Sequence, residues 1–164
     1  MSEHLTEEQL ETLLRMLKGN TQALKLCLDA IWVGQLWDQL IDKDEGEPTD
    51  IEINEAFMKA FRNIPNNSWF VSLPERYRWQ LEGLLISAAM QYKDSTHLEM
   101  GNEDDRFTAY IIRNAVLSLV HYCIYLVGGD AWVDEQSAEY WRMFGNLRED
   151  YLEFVAEGPN ELRS

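Results

Sequence analysis

The sequence predicts an all-α, single-domain bundle of five to seven helices packed around a central apolar helix at about 105 to 127. Three observations carry that expectation. Apolar side chains return at three- and four-residue steps along most of the chain, the period of a helix with one buried face. Capping and turn residues punctuate those stripes at intervals suited to helices. No stretch alternates apolar and polar residues between hairpin turns, so strands lack support. The domain is expected to occupy 1 to 158, with Gly158-Pro159 closing it and 159 to 164 left as a disordered tail.

The elements follow in order. Thr6-Glu7-Glu8-Gln9 is a capping box, and Gly19 supplies a left-handed stop, which bounds a first helix at about 6 to 18. A second, from about Thr21 to Asp42, carries Leu24, Leu28, Ile31, Trp32, Leu36, Leu40 and Ile41 as its stripe. Residues 43 to 48 contain no apolar side chain and read as a loop. Thr49 to Glu52 forms a second capping box, opening a helix with Ile53, Ala56, Phe57, Ala60 and Phe61 expected to face inward. In Pro65 to Leu73, turn residues come first and Trp69 and Phe70 plug a gap between helices. Ser72-Leu73-Pro74-Glu75 then starts a helix bearing Leu81, Leu84, Leu85, Ala88, Ala89 and Tyr92, with Ser72 as its cap. Three acids at 103 to 105 open the central helix, Gly128-Gly129 closes it, and Asp130 caps a last helix broken near Gly145.

Composition narrows the function classes. The chain has 29 acidic and 14 basic residues, a formal net charge of −15, and its Lys and Arg form no cluster that would neutralise a phosphate backbone, so direct nucleic-acid binding is not expected. No apolar run reads as approaching the roughly 18 to 20 residues that span a bilayer, and the first helix begins acidic, so neither membrane contact nor a signal peptide is expected. Cys27 and Cys123 fall inside helical stripes and read as buried free thiols of a reducing cytoplasm.

Residues with chemical potential cluster in two places. Asp38, Asp42, Asp44, Glu45, Glu47 and Asp50 crowd the second helix end and its loop, where hard cations find oxygen ligands; Asp42, Asp44 and Asp50, with Gly46 between, partly match a calcium loop, although Ile53 stands where its last carboxylate belongs. The same acids equally suit a solvated loop and a helix N-terminus. Asp38/Asp42 and Asp130/Asp134 share the spacing of helical sites that hold metal-bound diphosphate, and Glu52/Glu55 that of helical pyrophosphohydrolases, each without the remaining parts. Asn114, Ser118, His121 and Tyr125 form a polar seam on the central helix, either a packing network or a pocket wall. No nucleophile elbow, phosphate loop or paired-cysteine site is present, so no catalytic residue is assigned and no cofactor is expected beyond a divalent cation. Among six tryptophans, Trp69, with Phe70 and Trp79, marks the irregular connection where an exposed aromatic patch would sit.

Leu36 to Asp44, Asp50 to Phe57, Pro65-Asn66-Asn67 and Gly128-Gly129-Asp130-Ala131-Trp132 resemble small all-helical proteins encoded in tailed-bacteriophage and prophage genomes. The resemblance covers about residues 30 to 135 and implies expression in a bacterial cytoplasm, with no catalytic residue carried over. The combined expectation is a non-enzymatic acidic phage protein that contacts a protein partner with a basic surface, as a virion-assembly accessory, a host-system modulator or a DNA mimic. Its alternative is a metal-dependent helical hydrolase using the carboxylates around Asp38 to Asp44.

Overall fold

The computed structural model describes residues 5 to 42, 46 to 145 and 148 to 158, and all regular structure among them is helical. The order is α1 (Glu7–Met16), α2 (Thr21–Asp42), α3 (Asp50–Met58), a π-helical turn (Lys59–Asn63), α4 (Ser68–Ser72), α5 (Glu75–Leu98), α6 (Glu103–Ile112), α7 (Val116–Gly128), α8 (Asp130–Phe144) and α9 (Arg148–Glu157). The all-α bundle is the architecture expected. The expected disordered tail at 159 to 164 lies outside the described residues.

Local chemistry explains most boundaries. Both capping boxes form: Thr6 and Gln9 exchange bonds at α1, and Thr49 and Glu52 do so at α3. A third box, Asn102 with Asp105, opens α6. Asn67 caps α4 by accepting the Phe70 N–H at 3.0 Å, and its own amide reaches the Gln22 carbonyl at 2.9 Å, which ties the α3–α5 connection to α2. Two expected caps are replaced. Ser72 belongs to α4 and donates to the Trp69 carbonyl, so Pro74 is the N-cap of α5. Asp130 is the first residue of α8 rather than its cap, because Gly129 takes that position with φ of 82°.

The apolar run expected as one central helix carries a turn at residues 113 to 115 that divides it into α6 and α7. By length and composition alone Glu103–Gly128 passes for a membrane span, contrary to the reading that no run approached that length. Its α7 half holds the middle of the bundle: Leu119, Val120, Cys123 and Ile124 are buried among α2, α5 and α8. Burial of each such aliphatic side chain contributes about 1.5–3 kcal/mol. A smaller cluster lies apart, where Ala109, Tyr110 and Phe154 of α6 and α9 pack with Leu98 and Tyr151.

A further departure concerns α3. Ile53, Ala56 and Ala60 are half-buried as expected, but Phe57 and Phe61 stand 56% and 74% exposed. The π turn, closed by Ile64 N–H on the Lys59 carbonyl at 2.9 Å, inserts one residue into the helical period, and Ile64 after it is buried in the core. An ionic anchor fixes this register: buried Asp29 receives Lys59 at 3.1 Å and Lys25 at 3.3 Å.

The α7–α8 corner depends on a close approach. A Cβ at Gly128 would meet the Trp132 ring at 1.9 Å, and that ring is pinned by its N–H bond to the Met16 carbonyl at 2.7 Å. Gly128→Ala should therefore destabilise the protein by about 1–3 kcal/mol, because overpacking outweighs the small propensity gain at a helix end. Urea unfolding measures this, and a stability equal to or above that of the natural chain would show that the corner is not tightly packed.

Candidate functional site

A cleft of about 860 Å³ opens between α2 and α5. α2 lines it with Ala30, Ile31, Gly34 and Asp38 at steps of one to four residues, with Val33 and Trp37 beside them. α5 supplies Leu85, Ala88, Ala89 and Tyr92 from one face. The turn after α6 adds Arg113 and Asn114, the start of α7 adds Val116 and Leu117, and Gln9 of α1 and Phe144 of α8 also line it. The space exists because small residues sit on both facing helices: Ala30 and Gly34 oppose Ala88 and Ala89, where larger side chains would interdigitate and fill it.

At the polar end one guanidinium gathers the charges. Arg113 donates from Nη2 to Asp38 Oδ1 at 2.6 Å and from Nη1 to Glu99 Oε1 at 2.9 Å. Its side chain is 12% exposed and that of Glu99 only 2%, so Glu99 is a carboxylate held in the interior by its guanidinium partner. Tyr92 donates its hydroxyl to the same Asp38 Oδ1 at 2.6 Å, and its ring lies 5.6 Å from that of Trp37. The Arg113 cation also stands 5.1 Å from the Phe154 ring and 5.8 Å from the Tyr92 ring. Beside this group the Tyr110 phenol is pushed up to about 12, chiefly by burial and further by the Asp150 charge. The result is an apolar cleft with a charged, hydrogen-bonded end, suited to holding an amphipathic ligand.

Of the residues singled out from sequence, Asp38 and Asn114 line this cleft. Glu47 and Asp50 are exposed, with Asp50 opening α3. Asp44 and Glu45 lie outside the described residues, as does the Asp42 side chain, and among the described residues no three metal-ligating side chains converge. Phe70 is buried in the core with Trp69 packed against it, so neither forms the exposed aromatic patch expected there; only Trp79 of that trio is exposed. Trp69 and Phe70 pack into the core where α4 meets α2, the gap-filling place also expected of them.

The seam on α7 does not make one pocket. Ser118 is exposed, Tyr125 stacks on Tyr122 with ring centroids 5.4 Å apart, and His121 turns toward α8. His121 Nε2 meets Ser137 Oγ at 2.9 Å, and that hydroxyl donates to the Val133 carbonyl at 2.7 Å. With its proton committed to a carbonyl, the serine accepts from the imidazole, which is the reverse of nucleophile activation. The two thiols are buried and free, and the Cys123 thiol is pushed up by its hydrogen bond with Cys27 and by burial, which keeps it unreactive.

Sequence reasoning missed Arg113, Tyr92, Glu99 and Trp37. Two signals pointed to them: Arg113 is the single cation between Phe107 and Val127, and Glu99 follows a helix end where the dipole disfavours an acid.

Burial between the Tyr140 and Trp141 rings lowers the His121 pKa below its ordinary value of 6.5. An imidazole that resists protonation when folded contributes stability that is fully present above 6.5 and is lost as pH falls below it toward the folded value. Between pH 7.5 and pH 5.5 the natural chain should therefore lose more stability to urea than His121→Gln does. Equal losses would show that this histidine is not buried as described. No protein-family model, curated protein or solved structure matches the chain, so the functional reading rests on this geometry.

Proposed function

We propose that the chain is a non-enzymatic protein that acts by binding other proteins. The observation that carries this reading is the outward face of α3 and the π turn, where Ile51, Phe57, Met58 and Phe61 are all exposed. The Phe57 and Phe61 rings stack with centroids 5.7 Å apart and planes 11° from parallel. Contiguous aromatic surface of this kind is uncommon on a monomer and usual at a protein interface, where aromatics supply most of the binding energy. The Lys59–Asp29 pair holds the opposite side of the same segment on α2, so the aromatic face is presented by a fixed element. The net charge of −15 favours a partner with a basic surface. With the resemblance to phage and prophage proteins, this supports a product made in a bacterial cytoplasm that assists virion assembly or modulates a host system.

A narrower version draws on α8, where Asp130, Asp134, Glu135 and Glu139 are exposed at steps of one to four residues. Carboxylates in such rows offer a basic groove a substitute for phosphates, the recognition a DNA mimic uses.

One comparison tests both. Phe57→Ser/Phe61→Ser alters exposed side chains and should leave unfolding within about 0.5 kcal/mol of the natural chain. Pull-downs from bacterial lysate should show a protein retained by the natural chain at low and high salt and lost with the double variant. A retained protein indifferent to the double variant but released by salt would favour the carboxylate rows. Identical retention by both chains under all conditions would contradict both versions.

A further inference from the structure

We propose that the cleft between α2 and α5 is a helix-in-groove site for a basic amphipathic helix of a partner protein, with apolar side chains in the cleft and one Lys or Arg on Asp38. The proposal rests on the reading of the chain as a protein-binding protein, and gives that contact a place and a partner chemistry.

Shape comes first. The cleft has the size and the mostly apolar walls of a ligand site, with polar groups gathered at one end. Its apolar floor does not stop at the mouth. Leu40 and Ile41, three and four residues beyond Trp37, continue the same face of α2 and are exposed with it. From Gly34 to Ile41 this strip runs roughly 10 Å, two turns of helix, at 1.5 Å per residue. A strip of that form suits the i, i+3, i+4, i+7 side chains of a docking helix better than a small molecule confined to the cavity.

Charge selects the sign of the partner. Asp38 and Glu99 both pair with a single guanidinium at the polar end and Asp150 also lines the cleft, so its charges sum negative on a chain that is itself strongly acidic. Asp38 is placed to accept a cation: Tyr92 and Arg113 both bond its Oδ1, which leaves Oδ2 for a further donor, and the side chain is 45% exposed. The carboxylate is thus oriented by two donors from the protein on a side chain that lines the cleft.

Gly34 supplies the means of testing this without damaging the fold. It lies within α2 on the cleft wall, and a Cβ there would meet nothing within 4 Å. Leucine at that position grows into the cleft and improves helix propensity, so Gly34→Leu closes the site while the bundle stays folded.

The probe is a fluorescein-labelled 18-residue peptide of leucine and lysine in amphipathic helical order, titrated with the full chain by fluorescence anisotropy. A peptide of the same composition in scrambled order serves as control for simple charge attraction. The expected result is binding at least tenfold tighter for the ordered peptide, at least tenfold weaker binding to Gly34→Leu, and several-fold weaker binding to Asp38→Asn, with both variants folded by circular dichroism. Equal affinity for the two peptides, or unchanged binding to Gly34→Leu, overturns the proposal. If octylamine binds the natural chain but not Gly34→Leu in calorimetry while the ordered peptide fails to bind, the cleft takes small amphiphiles and the helix proposal is likewise overturned. Should the peptide fail while the Phe57/Phe61 variant loses its partner, the groove falls and the protein-binding reading stands.

Discussion

Arg113 sits where four elements meet, and its guanidinium is the junction on which the arrangement of the cleft depends. It ends α6, holds Asp38 of α2 and Glu99 after α5 by hydrogen-bonded ion pairs, and faces the Phe154 ring of α9. Two packing clusters of unequal size meet at this point: the large one around α7 and the small one between α6 and α9. Hydrophobic burial alone would pull such clusters together and fill the space between them. A buried guanidinium with two carboxylates resists that collapse, since its fork geometry fixes the distances to both partners and desolvating either one unpaired is costly. The cleft is thereby an outcome of the ion-pair geometry as much as of the small residues along its walls.

The helical skeleton was legible because its causes are local. The capping boxes at Thr6 and Thr49, the glycine pair at 128 and 129 and the break near Gly145 each act over a few residues, and each appears where its residues stand. The misreadings share a different cause. Phe57 and Phe61 fit an inward stripe at ideal helical period, yet they share an exposed face, and the π turn that brings Ile64 to the core after them has no counterpart in apolar spacing. Its anchor, Lys59 on Asp29, joins residues 30 apart in the chain and is invisible to a reading by windows. Of the two readings of Trp69 and Phe70, the gap between helices and not the surface patch is what forms, because Asn67, which caps α4 and bonds Gln22, ties the irregular connection to α2.

The site was the least legible part. Asp38 was found as one of a crowd of acids, yet its role comes from Arg113, 75 residues away, and from Tyr92, 54 residues away. The crowd itself suggested cation binding, whereas those two donors and the cleft are what surround Asp38 among the described residues. Of the polar seam, Asn114 in the turn before α7 reaches the cleft, but Ser118, His121 and Tyr125 of α7 point to solvent, to α8 and to Tyr122. Helical periodicity tells which residues share a face and does not tell what faces them.

The surface then divides by chemistry. An aromatic face on α3, an apolar cleft with a negative end between α2 and α5, and rows of carboxylates on α8 lie on three different elements of one acidic bundle. The proposed association with other proteins draws on these three surfaces. Whether the cleft persists as described depends on the Arg113 junction, and amide hydrogen exchange of the natural chain against Arg113→Lys tests it most directly, because lysine keeps the charge and loses the fork. Faster exchange confined to α6 and α9, with α1, α2, α7 and α8 protected as before, is the result this account requires. Unchanged exchange in α6 and α9, or a uniform loss of protection across the bundle, would contradict it.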